Sequence, residues 1–165
     1  MCSASPKIIK WHLDHGADPN IVDFRAQEPC VYAAYGGNLE SVKLLMEGGT
    51  SVQETRALIA AAGAKDFKPD VADYLLSLGV DINRLERDKD DEGNAKSSSS
   101  GAEGTALHRA VESGDVERVR FLLERGADPS VRGLPPQAMT PLELAEMYQL
   151  DEVSEVLRSG RAATS

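Results

Sequence analysis

Aromatic side chains, cysteines and long apolar runs are all scarce in this chain. Phe, Trp and Tyr make up 5% of its 165 residues, so alanine and leucine must supply most of the packing. Its two cysteines, Cys2 and Cys30, give no disulfide framework. No apolar run is long enough to span a membrane or to serve as the core of a secretory signal. We therefore expect a cytoplasmic or nuclear protein.

Basic residues are fewer than acidic residues in this chain. The chain has 18 Lys and Arg residues against 27 Asp and Glu residues, which gives a formal net charge of -9. Such a charge disfavours binding to a nucleic-acid backbone or to an anionic membrane, but it is compatible with a basic protein partner. Hydrophobic residues still make up 41% of the chain, enough for a substantial core. We expect a monomer with a protein partner, no nucleic acid and no membrane.

Two segments of the sequence repeat one another. Residues 29–53 read PCVYAAYGGNLESVKLLMEGGTSVQ, and residues 105–130 read TALHRAVESGDVERVRFLLERGADPS. Each contains a small-residue apolar helix, a Gly-containing turn, a second apolar helix, and a Gly followed by a short polar stretch. Similarity at a period near ~33 residues is typical of stacked helix pairs. Such stacks present extended surfaces that bind other molecules.

The segment TALH at 105–108, with Ala110, Gly114 and GAD at 126–128, resembles an ankyrin repeat. The resemblance covers about residues 5–158. It implies an all-α ankyrin-repeat solenoid of helix-turn-helix units with short hairpin tips, in a single domain over 1–165. On this frame the units are a partial one at 5–27, then 28–54, 55–83, 105–139 and 140–158, with a flexible insertion at 84–104 and a tail at 159–165.

The first three units each depart from the family pattern. The first has only its second helix, where His12 takes a place usually given to Leu. Either the chain is a piece of a longer protein, or something else covers this edge. In the second unit Glu28 replaces the usual threonine, so we expect a weaker helix start. The turn of the third unit, at 63–67, is about three residues longer than the family norm.

The insertion at 84–104 adds roughly fourteen residues to the usual repeat period. It is rich in charge, serine and glycine, which predicts flexibility. One interpretation is a surface insertion that the fold tolerates. The other is a loop that contacts a partner or is phosphorylated at residues 97–100.

The resemblance also implies a concave binding face, lined by the hairpin tips at 21–27 and 131–138 and by the ends of the first helices. Phe24 lies where the family is usually polar, and an aromatic beside Arg25 on a rigid tip suits a binding hot spot. The alternative is that Phe24 folds back onto the neighbouring hairpin. The predicted partner-binding residues are Phe24, Arg25, Gln27, Tyr35, Glu112, Ser113, Leu134 and Met147.

The sequence gives little support for catalysis, for a metal site or for a cofactor. Residues 88–93 read DKDDEG, which matches the opening of a calcium loop, but Ser99 stands where the bidentate Glu should be. His108 belongs to the repeat motif, where the family uses it to hydrogen-bond neighbouring turns. Cys30 replaces a usual leucine and is interpreted as a core residue. We expect no metal, no cofactor and no enzyme activity.

The most direct functional prediction is a non-catalytic protein–protein interaction module, a scaffold or adaptor that binds a protein on its concave face. Two alternatives stay open. One is a regulatory ankyrin segment of a larger enzyme or channel. The other is a free-standing assembly chaperone or inhibitor. The partner itself cannot be named, because a scaffold does not determine its target.

Overall fold

The computed structural model of the chain describes residues 5–24, 27–53, 55–85, 104–134 and 138–163, with side chains described as far as residue 160. All regular structure within these residues is helical, as the repeat pattern predicts. The helices are α1 Pro6–Asp14, α2 Pro29–Tyr35, α3 Leu39–Glu47, α4 Ala57–Ala62, α5 Pro69–Ser77, α6 Ala106–Glu112, α7 Val116–Glu124, α8 Pro141–Met147 and α9 Asp151–Ala163. None of them is long and apolar enough to cross a membrane.

The helices fall into two compact units, Met1–Asp81 and Ile82–Ser165. In the first unit α2 packs against α3 and α4, while α1 and α5 pack against α3, and α4 packs against α5. We call α2, α4, α6 and α8 the inner helices and α1, α3, α5, α7 and α9 the outer helices. In the second unit the inner helices α6 and α8 pack together, and so do the outer helices α7 and α9. Each unit therefore contains two stacked helix pairs, and in the first unit α1 also packs against α3.

Proline determines where several helices begin. Pro6, Pro29, Pro69 and Pro141 each lie in the first turn of a helix, where a missing N–H breaks no intrahelical hydrogen bond. Helices α1, α2, α5 and α8 therefore each begin at a proline.

Glycine determines how the outer helices end. Gly16, Gly49, Gly79 and Gly126 have φ values of 82°, 106°, 87° and 91°, a left-handed conformation that is strained for residues with a Cβ atom. The same type of turn therefore follows each of the helices α1, α3, α5 and α7.

The core is built from small and aliphatic side chains. Helix α4 has the sequence ALIAAA and buries five of its six residues, which lets neighbouring helices approach closely. Helices α3, α5 and α7 each contribute a buried leucine at the same position, and these leucines are Leu45, Leu75 and Leu122. Packing of this kind explains how a chain with few aromatic residues still forms a core.

The connection between α4 and α5 spans residues 63–68, whereas the connection between α2 and α3 spans residues 36–38. The predicted three-residue extension is confirmed. Lys68, at the end of the longer connection, lies close to Gly37, where an added Cβ atom would meet the Lys68 side chain at 2.6 Å. The longer turn thus packs against the preceding pair, and Gly37 leaves room for it.

Long-range side-chain hydrogen bonds join successive pairs within the first unit. The Asn20 amide donates to the Gly49 carbonyl at 2.9 Å and accepts from the Ser51 N–H at 2.9 Å. The Glu28 carboxylate accepts from the backbone N–H of Arg56 at 3.1 Å, although it caps no N–H of its own helix. Glu28 is therefore a poor cap, as predicted, but it joins α2 to the start of α4.

His108 performs the corresponding task in the second unit. Its Nδ1 atom accepts from the Thr105 N–H at 3.1 Å, so its Nε2–H donates to the Met139 carbonyl at 2.9 Å. The ring is 1% exposed, and burial lowers its pKa, with the Met139 carbonyl acting in the opposite direction. His108 is a neutral structural residue that joins α6 to the segment before α8, as the motif predicts.

Candidate protein-interaction surface

The hairpin tip at 21–27 is closed by hydrogen bonds at its base. The Asp23 N–H donates to the Gln27 carbonyl at 3.1 Å, and the Gln27 N–H donates to Asp23 Oδ1 at 3.0 Å. Gln27, one of the predicted site residues, thus contributes its backbone to the closure of the loop. Arg25 lies outside the described residues, so its predicted role stays a prediction.

A tyrosine on the neighbouring inner helix also holds this tip. The Tyr32 hydroxyl donates to Asp23 Oδ2 at 2.6 Å, a short bond to a charged acceptor of the stronger kind. Both Asp23 carboxylate oxygens are therefore engaged, one within the tip and the other on α2. Sequence reasoning missed Tyr32. The only available signal was its position one helical turn before Tyr35, which places the two on one side of α2.

Phe24 projects from this anchored tip with 89% of its surface exposed. That exposure does not fit the alternative in which the ring folds back onto the neighbouring hairpin. Four other large apolar side chains in the tip and on α2 are also at least 45% exposed. Together these five residues, which we call the tip patch, are Ile21, Val22, Phe24, Tyr32 and Tyr35. Exposed apolar patches are a recurrent feature of protein-binding surfaces.

Three of the predicted residues occupy the same structural position. Tyr35, Glu112 and Met147 are the last residues of the inner helices α2, α6 and α8. Tyr35 and Met147 are each 45% exposed. The Glu112 carboxylate instead lies 3.1 Å from the Arg109 guanidinium, with only 17% of its side chain exposed. Two of the three positions thus present an apolar contact, while Glu112 is engaged within its own helix.

Ser113 is likewise engaged by its own helix, because its hydroxyl donates to the Ala110 carbonyl at 2.6 Å. Leu134 is partly buried in the second tip. There the Gly133 N–H donates to the Met139 carbonyl at 2.8 Å, and the Ala138 N–H donates to the Leu134 carbonyl at 3.0 Å. This second tip is closed by main-chain hydrogen bonds, but it exposes less apolar surface at Leu134 than the first tip does at Phe24.

An ion pair fixes the second tip to α8. Both Arg132 guanidinium NH groups reach the Glu143 carboxylate at 3.1 Å, and the Thr140 N–H donates to the same carboxylate at 2.8 Å. The Thr140 N–H, followed by Arg132, lowers the pKa of Glu143. The carboxylate therefore stays ionised at neutral pH and holds the tip in place.

The chemistry of the buried groups does not favour catalysis. Burial raises the pKa of the Cys30 thiol to about 12, with the Glu28 charge acting in the same direction. The thiol is therefore protonated at neutral pH, whereas a nucleophilic cysteine must be a thiolate. Within the ranges that the structure describes, no three His, Cys, Asp or Glu side chains cluster as metal ligands would.

Comparison with known proteins agrees with the repeat pattern. A family model of ankyrin repeats in three copies matches residues 1–86, and an ankyrin repeat model matches residues 104–134. Potassium channel AKT1 of Oryza sativa, in both subspecies indica and japonica, is 32% identical over 108 residues, which is 66% of this chain. E3 ubiquitin-protein ligase KEG of Arabidopsis thaliana is 27% identical over 146 residues, which is 85% of this chain. The matched regions span 10% of the channels and 8% of the ligase.

Proposed function

Because this chain belongs to the ankyrin repeat family, whose members are typically non-catalytic protein-interaction modules, we propose that it binds a protein partner through the tip patch. The contact would lie on the face formed by the first tip and the inner helices of the first unit. In this proposal the chain acts as a scaffold or adaptor and catalyses no reaction.

One observation carries the proposal, namely the exposure of Phe24 on a tip that is fixed from two sides. Aromatic side chains are over-represented among binding hot spots. A loop that is already ordered loses less conformational entropy when it binds, so more of the contact energy appears as affinity. The bonds of Asp23 to Gln27 and Tyr32 supply that order.

The composition of the chain indicates the charge of the partner. A net charge of -9 attracts a basic surface over a distance of about 10 Å at moderate ionic strength. The tip patch itself is apolar apart from its tyrosine hydroxyl groups. We therefore propose a partner with an apolar contact residue surrounded by Lys or Arg side chains.

The second unit contributes less to this proposal. Met147 and its neighbour Tyr148 are 45% and 47% exposed at the end of α8, and with Leu134 they offer an additional apolar contact. Glu112 and Ser113 are already bonded within α6. We propose that these two residues shape the surface without forming new hydrogen bonds with the partner.

The double variant Phe24→Ala, Tyr35→Ala tests the proposal. Wild type and variant would be used as bait in a lysate of the source cells, and the enriched proteins identified by mass spectrometry. A protein captured by the wild type and lost from the variant would then be titrated against both by calorimetry. Leu78→Ala is the matched control, because Leu78 is 39% exposed at the end of an outer helix. Equal affinity of the double variant and wild type would contradict the site.

A second candidate function is favoured by the comparisons. The relatives named above are far longer than this chain, and they include a channel and a ubiquitin ligase. A regulatory segment of a larger enzyme or channel would fit that pattern. The intact mass of the native protein, measured after immunoprecipitation, distinguishes this candidate from a free-standing chaperone or inhibitor. A native mass of 17.7 kDa in a stoichiometric complex with one partner would favour the chaperone or inhibitor.

A further inference from the structure

The outer helices α3, α5 and α7 share one pattern of burial. Each has nine residues, and its third, fourth and seventh side chains are at most 4% exposed. Each of these helices packs against the inner helix of its own pair. The nine buried side chains are Ser41, Val42, Leu45, Val71, Ala72, Leu75, Arg118, Val119 and Leu122.

Helix α1 has the same length but buries none of its residues. Its third, fourth and seventh residues, which we call the α1 face, are Ile8, Ile9 and His12. Ile8 is 55% exposed, His12 is exposed, and Ile9 is only partly covered. Three positions that are buried in α3, α5 and α7 are thus exposed or only partly buried in α1.

Another part of α1 contacts the neighbouring outer helix. Helix α1 contacts α3, and an added Cβ atom at Gly48 would meet the Leu13 methyl groups at 3.0 Å. In the part of the chain that the structure describes, no helix packs against α1 as α2 packs against α3. The α1 face therefore corresponds in position to the surface that contacts an inner helix in the other pairs of both units.

We propose that the α1 face binds a short apolar helix of a partner protein, and that this helix resembles the inner helices of this chain. The inner helices have six or seven residues, and their buried positions are mostly Ala, Leu and Val. Small side chains on such a helix let its backbone approach α1 closely. The α1 face shares no residue with the tip patch, so this proposal does not depend on the function proposed above.

The sequence of α1 argues against a second copy of α1 as the occupant. PKIIKWHLD contains neither Ala nor Gly, so two such helices cannot approach as closely as α1 and a small-residue helix. Pairing would also bring Lys7 and Lys10 of one copy near those of the other. A separate helix rich in Ala and Leu meets neither obstacle.

His12 makes the proposal testable by gain of binding. Its equivalents Leu45, Leu75 and Leu122 pack against inner helices. Replacing His12 by Leu restores the apolar side chain found at the other three positions, and we expect it to tighten binding roughly fivefold. Ile8→Asp places a charge in the same interface, and we expect it to weaken binding at least about tenfold.

The probe is a synthetic peptide that copies residues 104–114, GTALHRAVESG. Isolated helices of this length are marginal in water, so the peptide carries Arg109→Lys and Ser113→Glu, whose side chains are joined as a lactam. The same peptide with Leu107→Asp is the negative control. Trp11 is the only tryptophan of the chain and is next to His12, so a blue shift of its emission reports occupancy of the face.

The full chain would be titrated as wild type, His12→Leu, Ile8→Asp and the control Leu78→Asp. We expect saturable binding to wild type, tighter binding to His12→Leu, weaker binding to Ile8→Asp and no change for Leu78→Asp, with circular dichroism unaltered in all four. Equal binding by Ile8→Asp and wild type would overturn the proposal, and so would no binding to either wild type or His12→Leu. A wild-type dimer in sedimentation that Ile8→Asp dissociates would instead identify a second copy as the occupant.

Discussion

The Asn83 side-chain oxygen accepts a hydrogen bond from the backbone N–H of Asp128 at 2.8 Å, 45 residues further along the chain. Asn20 makes the same type of bond to the Ser51 N–H at 2.9 Å, but only 31 residues separate that pair. In both places the asparagine amide also donates to the carbonyl of the glycine after an outer helix, Gly126 or Gly49. The fourteen additional residues thus lie between Asn83 and Asp128, which still form the hydrogen bond that Asn20 and Ser51 form in the first unit.

Replacing Asn83 by Ala should destabilise the second unit by about 1–2 kcal/mol, because it removes the partner of the Asp128 N–H and weakens the register of the turn. Urea unfolding followed by circular dichroism measures the change. Asn20→Ala is the parallel variant in the first unit and should have a similar effect. A change within experimental error for both would show that these bonds contribute little net stability.

Deleting residues 88–101, fourteen residues within the insertion, should leave the Asn83 contacts in place. The cost of closing a loop depends only on the logarithm of its length, so shortening the connection should change stability by less than about 1 kcal/mol. The amide resonance of Asp128 in an NMR spectrum reports whether its bond persists. A large change in the chemical shift of the Asp128 amide, or a large fall in the urea midpoint, would mean that the insertion supports the fold.

Replacing Tyr32 by Phe should loosen the first tip without unfolding α2. The variant keeps the ring and removes the hydroxyl that donates to Asp23 at 2.6 Å, which should cost about 1 kcal/mol at most at this half-exposed site. Hydrogen exchange of the Gln27 amide, which donates to the same carboxylate, should become faster. Tyr35→Phe is the control and should leave that exchange rate unchanged.

The repeats, the helix-starting prolines and the long turn at 63–67 could be predicted from the sequence, because each depends on local residue types at fixed spacing. The bonds of Tyr32 to Asp23 and of Glu28 to Arg56 could not, because each joins segments whose approach is decided by packing. The exposure of Phe24 depended in the same way on how the tip closes. The roles of Arg25 and of most of the insertion at 84–104 lie outside the described residues and stay predictions.

The protein should lose stability between pH 7.5 and pH 5.5 because of His108. Its pKa is lowered in the folded state, chiefly by burial, whereas the unfolded chain has the ordinary value near 6.5. The unfolded state therefore binds the proton more readily, and the stability present above pH 6.5 declines as the pH falls below it. Glu112 and Arg109, the charged groups that act on the ring, do so in opposite directions.

Urea midpoints at the two pH values measure this effect, and His108→Gln should reduce the difference between them. Asp128 and Glu143 have lowered pKa values in the folded state, so their ionised forms stabilise the fold at neutral pH. That stabilisation is lost only at lower pH, as the pH falls through the range in which carboxylates titrate. If wild type and His108→Gln lose stability equally, another group is responsible for the pH dependence.

Replacing Gln149 by Gly should stabilise the second unit by roughly 0.5–1 kcal/mol, because Gln149 has a φ of 59°, a left-handed conformation that is strained for a side chain with a Cβ atom. The equivalent turns have Gly37 and Gly114, with φ values of 66° and 68°. The N–H of Gln149 donates to the Glu146 carbonyl at 3.1 Å, a bond that glycine retains. The greater freedom of glycine in the unfolded chain offsets part of the gain.

Gly114→Ala is the reciprocal variant and should destabilise the same unit by about 1 kcal/mol, because it introduces at one turn the strain that glycine relieves at the other. Thermal and urea unfolding of both single variants and of the double variant would measure the two effects. The turns flank different helix pairs, so the two changes should be nearly additive. A Gln149→Gly variant less stable than wild type would show that the Gln149 side chain makes contacts worth more than the strain of its backbone.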